Sequence, residues 1–190
     1  VWTELTADYE TPISAFQKLS QDGGCGFLFE SAEKSDQIGR YSFLGNDPKF
    51  VLSAWGREIE IREGSETRAF TAGQDSEPLA ELEKLMAVYK PVKVDGLPVF
   101  SGGAVGYLSY DMVRFFEPTV PGPPKDEVDV PDMVFMLADT LVIFDHRFRR
   151  LQLVANVFLD DHDSLEAGYS WARAKIQQLV ASLSRTIQFS

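Results

Sequence analysis

The period of apolar and polar positions changes several times along this chain, and each change marks an element. Ile13, Phe16 and Leu19 recur at three-residue spacing after Thr11-Pro12. This predicts a helix with Thr11 as N-cap and Pro12 at its first position, stopped by Gly23-Gly24. Phe27 to Glu30 predicts a short strand, and Arg40 to Leu44 a second in which Tyr41 and Phe43 alternate with Ser42. Phe50 to Trp55 and Glu58 to Arg62 predict a hairpin around Gly56, with one face in water. The polar stretch from Gly64 to Gln74 predicts an exposed turn or sheet edge. Leu79, Leu82, Leu85, Met86 and Tyr89 trace a helix stripe between Pro78 and Pro91. Leu97 to Phe100 predicts a short strand, and Tyr107 to Phe116 a short helix. Glu117 to Pro131 carries five prolines and reads as a loop. Met133 to Asp145 and Leu151 to Leu159 are long β-rich runs joined by a charged turn, which predicts a hairpin. Leu165, Tyr169, Ala172, Ile176, Leu179 and Leu183 then share one face of a helix spanning Asp163 to Ser184. Strands arrive as hairpins, not as alternating βα units. The expected class is α+β, a largely antiparallel sheet with packed helices, and not a doubly wound parallel sheet.

Bulk composition narrows the function classes. A chain of 190 residues suits one domain or a large half of a bigger enzyme. Its 44% hydrophobic and 12% aromatic content supports a true core and argues against disorder. Lys and Arg total 18 against 29 Asp and Glu, a net charge of −11. A chain this acidic repels phosphate backbones, and no basic stripe offsets it, so no nucleic-acid partner is expected. Arg147, Arg149 and Arg150 read as solvated charges of a turn. The single cysteine, Cys25, excludes an internal disulfide and fits a reducing cytoplasm. No apolar run reaches the roughly 18 residues a bilayer span needs, so no membrane partner is expected. A first residue of Val instead of Met suggests a trimmed N-terminus.

Two segments carry candidate chemistry. Ser101-Gly102-Gly103-Ala104-Val105-Gly106-Tyr107 contains GGxxG. It lacks the lysine of a phosphate loop and the spacing of a dinucleotide fingerprint. Its glycines therefore serve either positive φ and close backbone packing, or a tight approach to a ligand or partner domain. The other segment is Glu30-Ser31, directly after Phe27-Leu28-Phe29. An ionised carboxylate there is costly if buried unpaired. Either the strand ends at Glu30 or Glu30 finds a cation, and Arg40 is the nearest candidate for a bidentate pair. The pair is then either a strand-end salt bridge or part of a small site for a zwitterion, with Glu30 for an ammonium and Ser31 for orientation. His146 and His162 read as surface residues. Asp160, Asp161 and Asp163 fit helix capping better than a metal site. No nucleophile–base pair is evident.

Taken together these residues resemble the N-terminal region of component I of anthranilate synthase, the chorismate-utilising subunit of tryptophan biosynthesis. The resemblance runs from Ala7-Asp8 and Thr11-Pro12 through Phe29-Glu30-Ser31, Arg40-Tyr41-Ser42-Phe43-Leu44-Gly45 and Asp47-Pro48. It continues through the Ser101 to Tyr107 segment and Tyr110-Asp111 to the hairpin near Asp139. The family usually has Leu-Leu-Glu-Ser where this chain has Leu28-Phe29-Glu30-Ser31. The resemblance implies one regulatory and structural domain over residues 1–190, followed in the full protein by a C-terminal chorismate-binding domain. It implies that Glu30 and Ser31, with Arg40 and Tyr41 as the other wall, form half of a tryptophan feedback site. It further implies that chorismate, Mg2+ and the acid–base residues belong to the C-terminal domain, so this chain alone is inert and holds no cofactor. A glutamine amidotransferase subunit would supply ammonia. The aminodeoxychorismate synthase component of folate synthesis shares the domain, though Glu30-Ser31 with the Arg40 to Gly45 segment favours the tryptophan branch. A stand-alone amino-acid-binding module is the third reading.

Overall fold

The computed structural model describes residues 1–31, 39–73, 76–117, 119–122 and 129–187. In chain order its elements begin with β1 (Trp2–Thr6), α1 (Pro12–Leu19), β2 (Gly26–Phe29), β3 (Tyr41–Asn46), β4 (Val51–Trp55), β5 (Glu58–Glu63) and β6 (Glu66–Thr71). They continue with α2 (Pro78–Ala87), β7 (Gly103–Leu108), α3 (Val113–Phe116), β8 (Met133–Ala138), β9 (Thr140–Asp145), β10 (Arg150–Ala155) and α4 (Leu165–Leu183). The strands form two five-stranded sheets, and the class is α+β, as expected. The chain divides into two compact units. One comprises Val1–Pro48, Val94–Gly103 and Ala138–Ser190, the other Lys49–Lys93 and Ala104–Leu137.

The sheet of the first unit has the order β1-β10-β9-β3-β2. Its pairs are antiparallel, and their register puts Leu44 opposite Val142 and Val142 opposite Leu153. Phe144 stands opposite Leu151 in the next row. These rows share a core cluster with Ala15 and Leu19 of α1 and with Ala172, Ile176, Leu179 and Leu183 of α4. Each Leu, Val, Ile or Phe among them contributes about 1.5–3 kcal/mol by leaving water, before the cost of ordering it. All six residues of the central strand β9 are buried, which is why it reads as one apolar run. Thr11 caps α1 as expected: its Oγ1 accepts from the Ser14 amide at 3.1 Å, and Ser14 Oγ accepts from the Thr11 amide at 2.9 Å. Lys18 pairs with Glu10 and donates to the Leu183 carbonyl at 2.9 Å, joining the ends of α1 and α4.

Several expectations need correction. Ile13 is exposed, and Ala15 takes its place in the core. Leu165 and Tyr169 are also exposed, because α4 meets the Val157 to His162 segment through Gly168. A Cβ at Gly168 would lie 2.7 Å from Val157 Cγ1. Ser164, not an aspartate, caps α4, accepting from the Ala167 amide at 3.1 Å. Strand β1 was not foreseen; it pairs with β10 along its whole length.

The sheet of the second unit has the order β6-β5-β4-β8-β7. β4 and β5 form the predicted hairpin around Gly56, with Ile59 and Ile61 buried and Glu58 exposed. β6 is a wholly exposed edge strand, and α2 buries Pro78 and Leu82. The run Met133 to Asp145 does not form one strand. It divides at Asp139 into β8, paired with β4, and β9, paired with β3. The Asp139 carbonyl accepts from the Asn156 amide at 2.8 Å, one step beyond the Ala155–Thr140 pair of the β9–β10 ladder. Leu97 to Phe100 forms no strand, since Pro98 has no amide to donate. The strand instead begins inside the glycine segment, at Gly103. Part of the proline-rich loop, residues 118 and 123–128, lies outside the described residues.

Candidate functional site

β2 and β3 are the edge pair of the first-unit sheet, and their last paired residues are Phe29 and Phe43. An antiparallel register that ends there makes Glu30 and Ser31 leave β2 at the level where Arg40 and Tyr41 enter β3. The four candidate residues therefore share one corner of the sheet. Glu30 and Ser31 are exposed, while Arg40 and Tyr41 are half-buried. Phe29 is half-exposed beside Phe27, with ring centroids 5.4 Å apart. Tyr41 lies 5.9 Å from Phe43, and Phe43 meets Phe100 edge-on at 5.3 Å. This aromatic row uses the positions that alternate with the helix-facing Leu44.

Of the two sequence alternatives the first holds: β2 ends at Phe29, just before Glu30, and Arg40 pairs with Asp145 instead of Glu30. Its Nε donates to Asp145 Oδ1 at 3.1 Å and its Nη2 to Oδ2 at 2.6 Å, a two-pronged contact. Register explains the choice, because Asp145 stands directly opposite Tyr41 in β9, whereas Glu30 has left the sheet. Asp145 Oδ1 also accepts from the amides of Arg147 and Phe148, at 3.1 and 3.3 Å. Burial opposes ionisation of Asp145, but the Arg40 hydrogen bond and the Phe148 amide outweigh it and hold the carboxyl below its usual range. The same hydrogen bond raises the Arg40 pKa. The guanidinium lies 4.7 Å from the Tyr41 ring centroid and 5.1 Å from that of Phe148. Burial in turn pushes the Tyr41 phenol up.

Sequence reasoning missed a second contact here. Ser42, taken as the polar side of its strand, is buried, and its Oγ lies 2.7 Å from His146 Nε2. A serine–histidine pair invites a nucleophilic reading. Ser42 is only 1% exposed, so no substrate reaches its hydroxyl, and the pair serves to satisfy a buried polar group.

A cavity of about 240 Å³ opens elsewhere in the first unit, between α4 and the segments around Leu19, Asn46 and Thr140. None of the four candidate residues lines it. Its charges are matched within the wall: Arg185 to Asp22 at 2.6 Å and Lys175 to Asp47 at 3.4 Å. Beside it Asp139 is buried, with Oδ1 lacking a hydrogen-bond partner. Burial pushes its carboxyl up, against the opposing pull of Lys175. Among the described residues no three His, Cys, Asp or Glu side chains converge to hold a metal. No helix among them is long and apolar enough to cross a membrane.

The glycine segment resolves as close packing. A Cβ at Gly102 would lie 2.5 Å from Asn156 Nδ2, which donates to the Ser101 carbonyl at 2.8 Å. A Cβ at Gly106 would lie 1.8 Å from the Val134 carbonyl oxygen.

A sequence profile described as chorismate binding enzyme matches residues 26–185. Probable anthranilate synthase component 1 of Schizosaccharomyces pombe is 34% identical over 183 residues, covering 96% of this chain and 34% of that protein. Anthranilate synthase component 1 of Saccharomyces cerevisiae is 39% identical over 179 residues, covering 92% of this chain and 32% of that protein. The crystal structure of anthranilate synthase component I from Streptococcus pneumoniae shares the fold, with a TM-score of 0.57 at 23% identity over 96% of this chain and 37% of that one. The chain thus spans about a third of the length of the relatives it matches.

Proposed function

The chain belongs to the chorismate-binding enzyme family, and on that premise we propose that it is the N-terminal domain of an anthranilate synthase component I. The full-length protein converts chorismate and ammonia to anthranilate and pyruvate, a lyase reaction of tryptophan biosynthesis. A component 2 subunit, a glutamine amidotransferase, supplies the ammonia. The observation that carries this reading is alignment to anthranilate synthases over nearly the whole chain. On this reading chorismate chemistry and Mg2+ belong to the part of the full-length protein outside this chain, as the family resemblance implies. This chain then supplies one half of a tryptophan feedback site at the corner formed by Glu30, Ser31, Arg40 and Tyr41. An exposed carboxylate and hydroxyl beside a half-exposed aromatic row suit an amino acid with an aromatic side chain.

Product analysis of the full-length protein with chorismate and ammonia tests the reaction. Anthranilate is expected, and aminodeoxychorismate in its place would move the protein to the folate branch. Ser31→Ala in the same protein tests the site. It is expected to raise the half-inhibitory tryptophan concentration several-fold, because feedback depends on contacts made in the inhibited state. Turnover without tryptophan should persist; equal loss of turnover would assign Ser31 a structural role.

A further inference from the structure

We infer that the β9–β10 turn, through Asp145, positions the Arg40–Tyr41 wall of this site, and that Arg40 acts on the ligand through Tyr41 without binding it. The inference rests on the amino-acid site proposed above. The start of β3 is gripped at two residues, Arg40 just before it and Ser42 within it. Arg40 is forked by Asp145, its carbonyl accepts from the His146 amide at 2.9 Å, and Ser42 Oγ meets His146 Nε2 at 2.7 Å. Tyr41, between them and directly opposite Asp145, shares the Asp145 face and enters the aromatic row. The grip is itself braced, since the Arg147 and Phe148 amides hold Asp145 Oδ1.

Charge decides between positioning and direct binding. An arginine that binds a ligand carboxylate needs a free fork. Both Asp145 oxygens occupy the Nε–Nη2 edge of Arg40, and the Asp145 side chain is 7% exposed against 30% for Arg40. Turning Arg40 to a ligand would strand a buried carboxylate, which is strongly unfavourable. The guanidinium is also fixed between Tyr41 and Phe148. What the pair offers a ligand is therefore a held tyrosine ring.

The two roles predict opposite signs for Asp145→Asn in the full-length enzyme. If Arg40 bound tryptophan directly, removing the Asp145 charge would free the fork and strengthen inhibition. A positioning role predicts that the half-inhibitory tryptophan concentration rises about tenfold, within the usual range of coupling between sites. The chorismate KM and kcat are read alongside, since a merely structural defect would lower kcat with inhibition. Phe148→Ala, at a half-exposed ring, provides the second variant should Asp145→Asn not fold, with a loss of inhibition of a few-fold expected. Unchanged or stronger inhibition in the folded variant, with Ser31→Ala weakened, overturns the inference and leaves the site standing. Unchanged inhibition in Ser31→Ala and in the Asp145 or Phe148 variant overturns both.

Discussion

Gly106→Ala adds one methyl to an edge strand and should be among the more damaging small substitutions in this chain. β7 pairs only with β8 in its sheet, and at Gly106 the two backbones approach so closely that an ideal Cβ sits 1.8 Å from the Val134 carbonyl oxygen and 2.7 Å from Phe135 Cα. Backbone atoms cannot swing away as a side chain would. The strands must separate by roughly 1 Å before the methyl fits, and a ladder hydrogen bond stretched by that amount is lost. Overpacking costs about 1–3 kcal/mol and each lost bond about 0.5–1.5 kcal/mol, which sets the expected loss at about 2–5 kcal/mol. For a chain of this length each kcal/mol lowers Tm by about 2–4 °C, so the variant should melt roughly 5–15 °C early. Gly73→Ala is the matched control. It lies in the same unit, its Cβ would meet nothing within 4 Å, and its φ is not left-handed. It should be neutral or stabilise by up to about 1 kcal/mol through the unfolded chain. Thermal melts of both variants by circular dichroism, with amide exchange over residues 103–108, read the difference. Melting of Gly106→Ala within about 2 °C of Gly73→Ala, with β7 amides still protected, would refute the close-packing account of the glycine segment.

Asp139 gives a pH signature of the opposite sign to an ordinary salt-bridged carboxylate. Burial raises its folded pKa above the unfolded value, so the native state binds the extra proton; that stability is full below the unfolded pKa, about 3.9, and is lost as pH rises through the folded one. Urea unfolding from pH 4 to pH 7 should show Asp139→Asn gaining on the parent as pH rises, and a constant difference across that range would contradict the burial argument. Thr11→Ala removes the capping box of α1 and should cost about 1 kcal/mol, seen as a Tm lower by about 2–4 °C; an unchanged Tm would mean that packing alone fixes the start of α1.

Local signals in the sequence located what local physics determines. Thr11-Pro12 announces α1 because capping and a preset φ act within four residues. Glu58-Ile59-Glu60-Ile61 announces β5 because its wet and dry faces alternate with the pleat. What stayed hidden depends on residues far away in the chain. Nothing in Met133 to Asp145 states that its halves serve different sheets; Asp139 interrupts the apolar run midway, and there the ladder changes partner. The partners of Arg40 and Ser42 lie 105 and 104 residues downstream. Glu30, Ser31 and Arg40 stand out as charged and polar residues after an apolar run, Tyr41 joins them only through family resemblance, and the fork on Asp145 comes only with the register.

That register ties the proposed site to the core more tightly than either alone suggests. The ladder that sets Leu44 opposite Val142 also sets Tyr41 opposite Asp145, three residues further along. A slip of one residue would turn Leu44 out of the helix-facing cluster and at once take Asp145 from its place opposite Tyr41. The same strand therefore answers to two demands, an apolar row beneath α1 and α4 and a polar grip at its entry. Loosening the first by truncating Leu44, which is fully buried, would cost about 2–5 kcal/mol. It would also shift the frame from which Arg40 and Tyr41 project. Core variants thus cannot separate the proposed feedback from stability. Substitutions at exposed or half-exposed positions that leave the ladder intact, Ser31 and Phe148, can.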